Sequence, residues 1–419
     1  MSNTLKFGNG EWYGKEGTIL AYNSENNNYK PLPFTFDRAS SATRVNKDGL
    51  IETVGADQPR VDYLNDSKGA LLLEPSRTNS ITYSNDFSQS IYGKINLTIT
   101  ANQGISPDGT QNANLLVPNA AVGTRYLTNS TGSNLKINTV FLKKKELRYV
   151  KVGNSQSNVL VDLENGTISA GSVSTNNFTI ENYGNGWYRV SCYNTLDVNL
   201  QIQIFIGIDG SGSNIATNGT DGVYIYGFEI QNGSYPTSYI KTNGSAVTRA
   251  AETCNGSGDA ATFNDSEGVL FANIAALADD GTYRIISLSN GNVDNSTNIQ
   301  YSGVSNQIRA RIENGGLPQA DITSTVTSQT LFHKIAVLYK SNQFELWSNG
   351  FKVGEDTNGT PPSGINKLSF DRADGINDFY GKTKEIQYFD SVLDSEQLEQ
   401  LTSWDSFRAM AEGQLYTIE

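Results

Sequence analysis

Histidine occurs once in this chain of 419 residues, and cysteine and methionine twice each. Each scarcity closes off a class of chemistry. A triad built on a histidine base would have to use His333, which stands between Phe332 and Lys334 at the start of an apolar stretch and reads as a structural strand-end residue. A His/Cys zinc centre lacks ligands. Cys192 and Cys254 are too few for a disulfide framework and read as small buried residues. The sequence holds no Gly-x-Ser-x-Gly elbow, His-Glu-x-x-His pair, phosphate loop or Cys-x-x-Cys pair. No run approaches the roughly 18 apolar residues of a membrane-spanning helix. The first residues lack the basic start and apolar core of a secretory leader. Only 18 % of residues are charged and the net charge is −12. That balance disfavours nucleic acid and anionic membrane as partners.

What is present is glycine, 40 residues of it, with asparagine-rich turns between short β-forming runs. The length predicts two or three cores. In the last third, Gly268-Val-Leu-Phe-Ala-Asn-Ile, His333-Lys-Ile-Ala-Val-Leu-Tyr, Gln343-Phe-Glu-Leu-Trp-Ser and Lys384-Glu-Ile-Gln-Tyr-Phe read as strands. Asn349-Gly350 marks a type I′ hairpin. Asp394 with Gln397 three residues on predicts a capped helix carrying Leu398 and Leu401 on one face. In the middle, Ile202, Ile204, Ile206 and Ile208 alternate along one face. Tyr224, Tyr226, Phe228 and Ile230 do the same, and Gly186-Trp187-Tyr188-Arg189-Val190-Ser191 gives a further strand. Asp48-Gly49 predicts a hairpin in a first block poor in apolar residues. The pattern predicts an all-β chain of tandem β-sandwiches, a central jelly roll and a C-terminal concanavalin A-like sandwich, with a short C-terminal helix. The expected divisions are an attachment or oligomerisation segment at 1–80, a jelly roll at 81–247, a linker at 248–266 and the last sandwich at 267–419.

The order of strands, hairpin, Gly381-Lys-Thr-Lys-Glu-Ile-Gln-Tyr-Phe-Asp and Leu-rich helix resembles the concanavalin A-like, laminin-G-type families. Their common business is glycan or surface recognition. A second resemblance rests on Arg38-Ala-Ser-Ser-Ala-Thr-Arg-Val-Asn-Lys-Asp-Gly-Leu-Ile-Glu, Gln58-Pro-Arg-Val-Asp-Tyr and Leu72-Leu-Glu-Pro-Ser-Arg-Thr-Asn. These stretches look like the opening of bacteriophage tail and fibre proteins. Asn185-Gly-Trp-Tyr-Arg-Val-Ser and Tyr226-Gly-Phe-Glu-Ile-Gln-Asn-Gly-Ser-Tyr-Pro-Thr-Ser-Tyr-Ile-Lys-Thr are similar to the closing strands of the carbohydrate-binding-module-like jelly roll that follows it there. The resemblance implies a virion protein made in the host bacterial cytoplasm, a dimer or trimer. Its partners would be a bacterial surface polysaccharide and other virion proteins. The leading expectation is non-catalytic adhesion to that glycan; a purely structural virion connector and a glycan depolymerase are the alternatives.

A glycosidase needs two placed carboxylates, and no Glu-x-Asp-x-x-Glu alternation occurs. Glu345 reads as a lone solvent-facing carboxylate. The chain is therefore expected not to be an enzyme and to require no cofactor. Calcium is the cation its loops would suit, through Asp371, Asp374, Asn377 and Asp378, with Asp279-Asp280-Gly281 a weaker set. Trp187, Tyr188, Trp347 and Tyr380 are the candidate platforms on which a sugar face would stack. Trp187 and Trp347 lie in or beside strands, where a tryptophan more often belongs to a core.

Overall fold

The computed structural model describes residues 4–120, 123–129, 136–153, 158–170, 178–193 and 202–417, and every count below is of these residues. The architecture is all-β. One large sheet runs in the order Thr253–Asn255, Lys30–Asp37, Thr18–Asn23, Leu5–Gly8, Gly381–Phe389, Glu267–Ala276, His333–Lys340, Gln343–Ser348, Phe351–Asp356. Facing it is a five-stranded sheet of Leu317–Thr325, Gln307–Asn314, Ser296–Tyr301, Arg284–Ser289 and Lys367–Ser369. Phe7, Phe34, Leu270 and Val337 of the first sheet meet Ile286, Ile299 and Ile312 of the second in a single core.

The apolar run from Val269 to Ala272, resumed at Ile274 after Asn273, is unbroken by alternation because both of its faces are covered. Leu270, Ala272 and Ile274 enter that core, while Val269 and Phe271 join Ala336, Leu338 and Trp347 under helix α1 (Ser395–Thr402). Leu398 seals this second layer, and α1 starts at the expected capping box: Gln397 N donates to Asp394 Oδ1 at 2.9 Å and Asp394 N to Gln397 Oε1 at 3.0 Å. A second short helix, α2 (Phe407–Gly413), was not foreseen. Asn349 and Gly350 both take positive φ, 50° and 90°, and join Ser348 to Phe351 as the type I′ signal requires.

The first block shares this sheet rather than standing apart. Leu5 pairs with Tyr388 and Phe7 with Ile386, so the opening strand lies beside the last. Residues 248–266, expected as a linker, carry the strand Thr253–Asn255, which pairs with Lys30–Asp37 and buries Cys254. Arg77–Asn79 runs antiparallel to Val247–Arg249. The chain therefore leaves the sandwich and returns to it on adjacent strands, and the middle lobe is an insertion between them. That lobe is two six-stranded sheets closed on Ile204, Ile206, Val140, Val190 and their neighbours. Two strands depart from the expected alternation. In Gln203–Ile208, Gly207 has φ 70° and the register against Tyr149–Gly153 slips, so Ile202, Ile204 and Ile206 share a core that Ile208 does not join. In Val223–Asn232, Gly227 has φ 60° and the register against Lys136–Lys144 slips there. Tyr226 consequently faces Phe141 and Tyr239, while Phe228 and Ile230 turn to the opposite core with Ile225.

Where insertion and sandwich join, five charged side chains are sealed from solvent. Arg60 reaches Glu252 Oε1 at 2.8 Å and Glu74 Oε2 at 2.8 Å, Arg38 reaches Glu252 at 2.7 Å, and Arg249 reaches Glu74 at 2.8 Å. Ser238, just past the last strand of the insertion, donates its backbone N–H to Glu74 Oε1 at 2.8 Å. All five are at most 3 % exposed. The residues that carried the resemblance to fibre openings, Arg38, Arg60 and Glu74, are thus internal cement between the two lobes.

Acid should dissolve part of this stability. Burial opposes the charge on Glu74, but Arg249, Arg60 and the Ser238 donors outweigh it and hold the carboxyl well below the usual range. Burial likewise opposes Asp108, yet hydrogen bonds from Thr110, Asn112 and Ser106 hold it at about 2, and the Arg148 fork holds Asp162 at about 2. Depressed carboxyls stabilise the fold fully above their unfolded values near 4 and lose that contribution as pH falls through their folded values. Asp371 and Asp378, pushed up by burial, titrate higher and act in the opposite sense. Urea midpoints should therefore fall between about pH 4 and about pH 2; midpoints that stay level across this window would contradict the assignment.

Candidate functional site

The outer face of the five-stranded sheet carries a groove of about 350 Å³, within the range of small-ligand sites. It follows from period-two alternation. Ile308, Ala310 and Ile312 point into the core, which turns Arg309, Arg311 and Glu313 outward; on the next strand Ile299 and Tyr301 point in and Ser296, Asn298 and Gln300 point out. The register sets polar rows across the strands: Ser287 opposite Asn298, Asn298 opposite Arg311, Arg311 opposite Asp321. A Gly315-Gly316 turn, with φ of 60° and 75°, joins the strands bearing Arg311 and Asp321.

Depth distinguishes this face from ordinary polar surface. Ser287, Ser296, Asn298 and Gln300 are all buried although they look away from the core. Asn298 donates Nδ2 to Ser296 Oγ at 3.0 Å, while Asn298 Oδ1 and Ser287 Oγ are enclosed with no hydrogen-bond partner among the described residues. Such groups cost free energy unless something completes them. Arg309 grips Asp321 with Nε at 2.6 Å from Oδ1, and this bond holds the Asp321 carboxyl below its usual range. Arg311 bridges Glu313 at 2.5 Å and Asp321 at 3.0 Å. Tyr283, 39 % exposed, stands at one rim, with Arg372 and Asn377 of the following loop beside it.

That loop is the one in which calcium was expected, and its oxygens are engaged locally. Asp371 Oδ1 accepts from Ala373 N at 2.6 Å, Asp374 pairs with Arg372 at 2.6 Å, and Asp378 accepts the Tyr380 hydroxyl at 2.9 Å. The Asn377 carbonyl accepts from Ile285 N at 3.2 Å. Asp371, Asp374 and Asp378 form no metal-holding group: among the described residues no cluster of three or more His, Cys, Asp or Glu could hold a metal. Asp280, of the weaker set, pairs with Arg284 at 2.9 Å.

The expected sugar platforms fare differently from one another. Trp187 is 1 % exposed, its ring in a core with Phe141 and Tyr226 and its Nε1 donating to Ile105 O at 3.0 Å. Trp347 is sealed beneath α1, with Nε1 on Glu345 Oε2 at 2.8 Å. Neither offers a face to a ligand. Glu345 is correspondingly buried rather than solvent-facing, because it accepts that indole. Tyr188 and Tyr380 are half-buried in different lobes, and only Tyr380 neighbours the groove's loop. His333 is buried as expected, with Nε2 at 2.7 Å from Ser328 O. The groove residues went unnoticed in the sequence, although the Arg309-x-Arg311-x-Glu313 alternation was there to be read.

No protein-family model matches the chain, and no curated protein matches it. Solved structures similar to it include the sialidase of Trypanosoma rangeli, at 11 % identity and TM-score 0.29 over 96 % of this chain and 82 % of that one. Domains LG4-5 of the mouse laminin alpha1 chain match at 8 % identity and TM-score 0.25, over 79 % of this chain and 93 % of theirs. A leech intramolecular trans-sialidase matches at 17 % identity and TM-score 0.31 over 36 % of this chain, which spans 27 % of its length. The all-β sandwich expected for the fold stands. The expectation of a non-enzyme is overturned, since sialidases and a trans-sialidase are among the similar structures. Likeness this weak assigns no reaction. No described helix is long and apolar enough to cross a membrane.

Proposed function

We propose that this chain is a glycan-recognition protein, of the phage fibre or tail kind, whose groove on the five-stranded sheet receives a segment of bacterial surface polysaccharide. The observation that carries the reading is the unpartnered Asn298 Oδ1 in the lining of a polar groove with Tyr283 at its rim, backed by the equally unpartnered Ser287 Oγ on the neighbouring strand. Sugar hydroxyls donate and accept at once, so they complete such groups, and a tyrosine face suits the C–H side of a pyranose. The virion setting rests on the sequence resemblance of 38–79 and 185–242. Several copies on one particle would add avidity to weak single sites.

Tyr283→Ala and Arg311→Ala should each weaken binding to host-cell polysaccharide about tenfold or more, by analogy with anchor residues elsewhere. Both side chains lie at the surface of the groove, so melting temperature should move by only a few degrees. Surface plasmon resonance on immobilised polysaccharide gives the first quantity and thermal unfolding the second. Unaltered binding in both variants would remove the groove from consideration.

A further inference from the structure

The charges of the groove narrow the ligand class, given the glycan reading above. Three guanidiniums border it, and each already has its anion: Arg309 holds Asp321, Arg311 holds Glu313 and Asp321, and Arg372 holds Asp374. Asp294, exposed at one end of the groove, has no cationic partner among the described residues. We infer that the groove is built for neutral hexose units and discriminates against uronate, sialate and other acidic sugars.

The physical grounds are exchange and excess. A sugar carboxylate that took one of these arginines would have to displace a protein carboxylate already in fork geometry, and the displaced anion would stay nearby unpaired. One anion is traded for another with no net gain. The local surplus from Asp294 and the overall charge of −12 add repulsion for a polyanion. A hydroxyl asks for no such exchange. The paired carboxylates still have lone pairs to accept from it, each guanidinium keeps N–H donors beyond those in its ion pair, and Asn298 and Ser287 are neutral.

The test uses the full chain and matched pairs of probes differing only at C6. These are a mannan oligomer against the mannuronan oligomer of equal length and linkage, and a cello-oligomer against the glucuronan oligomer. An array of neutral and sialylated glycans is read alongside. The expected result is binding to neutral members that Tyr283→Ala weakens about tenfold or more and that salt between about 50 and about 500 mM scarcely alters. The acidic partner of any bound neutral probe should bind about tenfold more weakly or worse. Asp294→Asn should narrow that ratio. Tighter binding of the uronate or sialylated members, weakened by salt, would overturn the inference and leave glycan recognition standing. Silence across every probe and the whole array would instead overturn the glycan reading, and the inference with it.

Discussion

A chain carrying Glu252→Ala should be less stable by about 3 to 5 kcal/mol, the cost of stranding buried charge. Glu252 accepts from Arg38, from two nitrogens of Arg60 and from the backbone N–H of Glu74. Alanine leaves two guanidiniums facing each other in a site that water does not reach. Those arginines belong to the first block and Glu252 to the segment after the insertion, so the damage falls where the lobes meet. Guanidinium unfolding midpoints measure it. Glu355→Ala is the control, because its ion pair with Lys352 is solvent-exposed and should contribute no more than about 1 kcal/mol. A loss below about 1 kcal/mol for Glu252→Ala would mean that water enters the cluster and supplies the missing partners.

Trp187→Ala should also cost about 3 to 5 kcal/mol, from the cavity left by a large buried ring. The Ile105 carbonyl, which accepts from the indole at 3.0 Å, is orphaned as well. The folded fraction of this variant should bind glycan like the unaltered chain, since the indole is closed in by Phe141, Tyr226 and Tyr239 and lies in the other lobe. Denaturant titration and binding corrected for the folded fraction separate the two effects. Full stability with lost binding would restore Trp187 as a sugar platform.

Local signals in the sequence carried far, and non-local ones did not. Asn349-Gly350 and the Asp394–Gln397 box each lie within a few residues of what they determine, and both act as their chemistry requires. The isoleucines from Ile202 to Ile206 alternate into a core, and the alternation ends where Gly207 takes a positive φ before Ile208. At Gly227 one residue in the left-handed region reverses the faces, and no count of alternation can anticipate it. The pairing of Leu5–Gly8 with Gly381–Phe389 leaves no trace in either segment alone, which is why the first block reads from sequence as a separate attachment segment. Tryptophan misled the search for a site because its size suits cores as well as sugars. The groove was legible as an arginine-rich alternation, but its meaning depended on Asn298 and Asp321, which only the register places beside it.

The same pairing has a consequence for synthesis. A ribosome delivers Leu5–Gly8 long before its sheet neighbour Gly381–Phe389, with the whole insertion made in between. The insertion, whose strands pair with one another, can close while translation continues. The sandwich around it cannot. Until Thr253–Asn255 and then Gly381–Phe389 arrive, the strands Leu5–Gly8, Thr18–Asn23 and Lys30–Asp37 wait with open edges, the kind of edge that recruits neighbouring nascent chains. Yield in a bacterial host should therefore be governed by how soon Gly381–Phe389 closes the edge left by Leu5–Gly8.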